Sequence, residues 1–119
     1  MEDVTANYET LYDARNRLRH DDALLLQINV KSKLRQLRHG GFVHGDIRSV
    51  NVLVRKPDVA LTHAEVLLVD WDWAGVEGQV EYPVDMNPAV WRPPTAQVGG
   101  MITHEHDLAM TLRLGTVYD

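Results

Sequence analysis

With 119 residues, 45% of them apolar, the chain can build one modest core, and a single domain spanning 1–119 is expected. A formal charge of −5 argues against a nucleic-acid partner, which needs clustered cations, and the absence of cysteine excludes disulfides and thiolate metal sites. No charged start followed by a long apolar run occurs, so neither a signal peptide nor a membrane span is expected, and an intracellular, cytoplasmic setting fits.

The first twenty residues are polar, with Tyr8, Leu11, Tyr12 and Arg15 at helical spacing and Asn7 as a cap, which predicts a short helix. From Asp22 to His39 the pattern is stronger. Leu26, Val30, Leu34 and Leu37 form one stripe, with Leu24 and Ile28 widening it. Asp21 or Asp22 suits the start, Arg38 and His39 suit the negative end of the dipole, and Gly40-Gly41 stops the helix.

The stretch Gly41–Val54 then sets Asp46, Arg48 and Asn51 at offsets of zero, two and five before a short valine-rich strand, Val52–Arg55. A second strand is expected at Val66–Val69, ending in Asp70-Trp71-Asp72; between them lie the turn signal Lys56-Pro57-Asp58 and a polar excursion through Thr62, His63 and Glu65. Two such strands would bring Asp46, Asn51 and Asp70 to one end of a hairpin. The resulting mouth, acidic and amide-lined, suits a hard cation and a metal-bound polyphosphate. From Gly75 to Gly100 periodicity is lost amid Pro83, Pro88, Pro93 and Pro94, and a loop this long is usually functional or disordered. A last helix is expected over Asp107–Leu114, capped near Glu105 or His106 and stopped by Gly115.

His44-Gly45-Asp46-Ile47-Arg48-Ser49-Val50-Asn51 resembles the catalytic loop of protein kinases, His-x-Asp-x-x-x-x-Asn, and Asp70-Trp71-Asp72 stands where Asp-Phe-Gly usually stands. The His-Gly-Asp form is similar to aminoglycoside and choline phosphotransferases. Trp71-Asp72-Trp73-Ala74-Gly75, Tyr82-Pro83 and His106-Asp107 favour the fungal-type protein kinase-like family.

The resemblance covers residues 22 to 114 and implies an α+β fold: a partial kinase-like lower lobe, mainly helical, with a β-hairpin carrying the motifs. It implies Mg2+ and ATP as cofactors and a protein or small-molecule hydroxyl as acceptor, a protein serine or threonine first. On that resemblance Asp46 orients the hydroxyl, Arg48 faces the transferred phosphate, and Asn51 and Asp70 hold magnesium, with Asp72 as a further metal contact. His44 would tie the loop to backbone near Asp70, Asp107 would accept catalytic-loop amides or simply cap its helix, and Trp71 would pack in the core. Gly45 replaces the arginine that pairs with a phosphorylated activation loop in many protein kinases, so that control is not expected here. The 75–100 stretch would be the substrate-facing segment.

The sequence has no Gly-x-Gly-x-x-Gly loop, and its lysines, Lys31, Lys33 and Lys56, do not precede the catalytic loop on a strand. As given, it reads as a fragment without an upper lobe. Two other readings compete. One is a non-catalytic kinase-like remnant or pseudokinase acting as a binding module; the other is a metallohydrolase drawing on the histidines, including His104 and His106. Truncating Leu34 is expected to cost more stability than any change at the polar mouth.

Overall fold

The computed structural model describes residues 4–56 and 66–114. The turn and excursion expected between the two strands fall on 57–65 and, with the stop at Gly115, lie outside the described residues.

The longest element, α3 (His20–His39), is built as its stripe dictates. Leu26, Val30 and Leu34 are buried and Leu37 packs beside them. At its start the Asp22 carboxylate accepts the Arg19 amide at 3.0 Å; at its end the Gly40 amide returns to the Leu37 carbonyl, and Gly41 turns the chain out with φ 79°. Leu24 and Ile28 do not widen the buried stripe. They are 49% and 62% exposed, because the helix packs by one narrow side against α4 (His104–Thr111) and the strands β2 (Phe42–Val43) and β4 (Val66–Leu68).

The short helix expected at the start divides into three pieces: α1 (Val4–Asn7), β1 (Tyr8–Thr10) and α2 (Leu11–Ala14). Tyr8, Glu9 and Thr10 pair antiparallel with Arg55, Val54 and Leu53 of β3 (Val52–Arg55). The other edge of β3 carries β4, in the register Val52 with Leu68, so the sheet order is β1-β3-β4. A bare hairpin would leave the β3 edge unpaired, and backbone pairing overrides the helical spacing of Tyr8, Leu11 and Tyr12. Thr10 then caps α2, its hydroxyl accepting the Asp13 amide at 3.1 Å.

Leu11, Ala14, Ile47, Val52, Val66, Met110 and Leu114 close one core over the α3 stripe. A second, smaller core of Val43, Tyr82, Ala96 and Ile102 lies under the segment after Gly75. That segment is tethered throughout. Its first residues form β5 (Gly75–Val76), which pairs with β2, and a further bridge joins Glu81 to Met101. The final helix α4 starts earlier than its apolar pattern suggests, because the Thr103 hydroxyl accepts the His106 amide at 3.1 Å and makes Thr103 the cap. The domain is α+β. No helix among the described residues is long and apolar enough to cross a membrane.

Leu34 is fully buried, so Leu34→Ala is expected to lower unfolding free energy by about 2–5 kcal/mol, while Ile28→Ala on the exposed face changes it by no more than about 0.5 kcal/mol. Urea midpoints of the two variants check the contrast.

Candidate functional site

The site grows from α4. Asp107, in its first turn, is 1% exposed, and its carboxylate accepts the His44 amide at 2.8 Å and the Gly45 amide at 2.9 Å. Burial pushes this carboxyl up from its ordinary value, against the two amides and the nearby His44 and His104, which pull it down. Gly45 has φ 95°, and a Cβ there would meet Ile102 Cδ1 at 3.1 Å and Trp73 Cβ at 3.2 Å. The backbone therefore admits no arginine at this position.

His44 links the loop to the second strand. Its Nε2–H donates to the Val69 carbonyl at 2.9 Å, which leaves Nδ1 to accept the Asp46 amide at 3.1 Å. The Asn51 carbonyl accepts the Val69 amide at 2.9 Å, extending the β3–β4 ladder by one step. Asp46 and Asn51 at the head of β3 and Asp70 just beyond β4 thus meet at one end of the strand pair. Asp70 has φ 58°, the only positive φ outside glycine among the described residues. Asp70, Trp71 and Asp72 are exposed. Trp71 is not in the core; it stands edge-on to His44 at 4.7 Å, with its indole N–H on the Leu68 carbonyl at 3.1 Å.

Asp46 is the electrostatic centre. Its side chain is 8% exposed and accepts four N–H bonds. Arg48 gives two, Nε to Oδ1 at 2.9 Å and Nη2 to Oδ2 at 3.3 Å; Asn51 Nδ2 gives one to Oδ2 at 3.0 Å; Arg92 Nη2 gives the last to Oδ1 at 2.8 Å. A carboxylate has about four lone-pair sites, so all are taken. Arg48 is folded back onto Asp46. Asn51 spends its Nδ2 on Asp46, on the carbonyl at 2.9 Å as well as the carboxylate, and its Oδ1 has no partner among the described residues.

Sequence reasoning missed Arg92. Its side chain is 6% exposed, with its guanidinium 4.8 Å from the Trp73 ring centroid and 5.8 Å from that of Tyr82. The only sequence signal was its place in a long proline-rich loop. The loop is pinned to α4 through His106, whose Nδ1 accepts the Thr103 amide at 3.4 Å and the Tyr82 hydroxyl at 3.1 Å, while Nε2–H donates to Thr95 Oγ1 at 2.8 Å. Burial first, then the charge of Asp107, push the Tyr82 phenol up, so it stays a donor. His104 is buried rather than exposed. Among the described residues no three His, Asp or Glu side chains are gathered to hold a metal, and both His106 nitrogens are engaged.

Compared with protein-family models, with curated proteins and with solved structures, the chain matches none of them. Fold and site together define an α+β domain whose centre is a buried carboxylate clamped by two arginines and an amide.

Asp107→Asn keeps one acceptor oxygen and turns an NH2 toward the other loop amide, leaving a buried donor unpaired. It is expected to cost about 1–3 kcal/mol in chemical denaturation. Asp46→Ala strands the buried Arg92 cation and is expected to cost about 3–5 kcal/mol, a range that overlaps that of Leu34→Ala. Equal midpoints for Asp46→Ala and the native chain would contradict it.

Proposed function

We propose that this domain is the lower lobe of a protein kinase-like, ATP-dependent phosphotransferase acting on a serine or threonine hydroxyl. The observation that carries this reading is the Asn51–Asp46 side-chain bond at the head of β3, made by the same residue whose carbonyl takes the ladder step that leads into Asp70. The kinase-type loop pattern supports it by residue type, and the Asn51–Asp46 and Val69–Asn51 bonds support it by proximity. A left-handed Asp70 adds support, since backbone conformations of this kind gather at functional sites.

The donors fit magnesium in kind. Asn51 Oδ1 and the Asp70 carboxylate are hard oxygens, and magnesium takes one or two protein ligands, with substrate phosphates and water completing its shell. Asp72, exposed two residues on, could reach the outer shell. Bound there, magnesium-ATP supplies the phosphoryl group and neutralises its charge. Asp46 would orient the acceptor hydroxyl and take up its proton, once a lone pair is vacated. Arg48 would face the transferred phosphate with the nitrogen it does not spend on Asp46.

The filled lone pairs of Asp46 favour a second reading, a kinase-like binding module without transfer activity. Calorimetry separates the two. In the first reading the 119-residue chain binds ATP weakly and only with magnesium, and Asp70→Asn and Asn51→Leu abolish the signal. The sequence holds no glycine-rich phosphate loop to grip the nucleotide, so no transfer to a generic protein acceptor is expected from this chain alone. ATP binding indifferent to magnesium and to both substitutions would remove the phosphotransferase reading.

A further inference from the structure

We propose that Arg92 reads an acidic group carried beside the hydroxyl that Asp46 engages, so that this site takes acidic, hydroxyl-bearing peptides. This rests on the reading of Asp46 as the residue that engages an acceptor hydroxyl. All four of the carboxylate's bonds come from protein N–H groups, so a hydroxyl can bind only where one of them leaves. Asn51 is fixed by a second bond to the Asp46 carbonyl, at 2.9 Å. Arg48 lies two residues away on the same loop and holds both carboxylate oxygens as a fork. Arg92 comes from the separate 77–103 segment and reaches Asp46 with a single nitrogen, so a ligand that takes its place on the carboxylate breaks one hydrogen bond rather than two.

Displacement changes what Arg92 needs. Its side chain is more than nine-tenths buried between Trp73 and Tyr82, and beyond Asp46 its one polar contact among the described residues is the Gly45 carbonyl, 3.4 Å from Nη1. Nε is buried and has no hydrogen-bond partner among the described residues. A guanidinium in that setting, parted from its carboxylate, requires another anion. A neutral acceptor offers none. A peptide with a carboxylate next to its serine offers the hydroxyl to Asp46 and the carboxylate to Arg92, whose Nε–H and Nη2–H make the planar fork that recognises carboxylates. The chain's formal charge of −5 repels such a peptide at long range, so the preference must arise from this one contact.

The test uses the full chain at about 0.15 M salt, where exposed charges beyond roughly 8 Å are screened. Three peptides are titrated, Ala-Asp-Ser-Asp-Ala, its Asp→Asn form and its Ser→Ala form. The acidic peptide is expected to bind at least about tenfold tighter than the amide form. Arg92→Gln is expected to erase that difference. In the native chain the Arg92 Nε–H proton resonance is expected to shift with the acidic peptide and not with the amide form, a readout independent of whether the variant folds. Equal binding of the two peptides, no binding of either, a preference that survives Arg92→Gln, or an Nε–H resonance unmoved by the acidic peptide would each overturn the proposal. The Ser→Ala peptide tests the underlying reading separately. If it binds as tightly as its parent while keeping its dependence on Arg92, the acid-reading role stands and Asp46 as the hydroxyl's partner falls.

Discussion

The carboxylate of Asp107, buried at the start of α4, accepts two consecutive amides from a loop more than sixty residues earlier in the chain. Those amides have no strand or helix partner of their own, and unpaired buried donors are costly, so the position of the whole His44–Asn51 loop depends on this one carboxyl group. From it follow the positive φ at Gly45, the aim of His44 toward Val69, and the depth at which Asp46 sits. Because the bonds join α4 to the loop that leads into β3, the helical and sheet parts of the domain are fixed to each other at the end that carries Asp46.

The second constraint is charge balance around Asp46. The buried Asp46 carboxylate and the buried Arg92 guanidinium sit together with little water, with the more exposed Arg48 on the carboxylate's other side, so the two buried groups need each other to offset their lost hydration. The arrangement is structural and chemical at once. It holds the 77–103 segment against the loop through Arg92, and it fills the oxygens that chemistry at this site would use. Binding here therefore means exchanging one buried partner for another rather than entering an open pocket. Such an exchange favours ligands that replace both the hydrogen bond and the charge.

Much of this was legible beforehand, for local reasons. The α3 stripe, the glycine stop at Gly41 and the two valine-rich strands follow from periodicity and turn chemistry, which act over a few residues. Asp46, Asn51 and Asp70 were singled out because their spacing matches a familiar loop, and the same resemblance pointed to the His44 bond and, beside a simple helix cap, to the Asp107 bonds that the structure shows. The misses share a different cause. Tyr8–Thr10 is a strand because β3 needed an edge partner; Ile28 is exposed because none of the described residues covers that side of α3; Trp71 is exposed although its type suggested the core. Arg92 had no signature beyond its place in the proline-rich loop, since its partner lies forty-six positions away.

By itself, then, the sequence determined the α+β class, the main helix, the strand pair and the residue types at the strand end, each set by contacts between near neighbours. Tertiary structure alone decided which edges are paired, which apolar faces stay in water, and which cation neutralises Asp46. Those outcomes depend on what the folded chain brings alongside. An unpaired backbone edge or a buried charge takes whatever partner the fold supplies, and the local pattern of residues does not encode it.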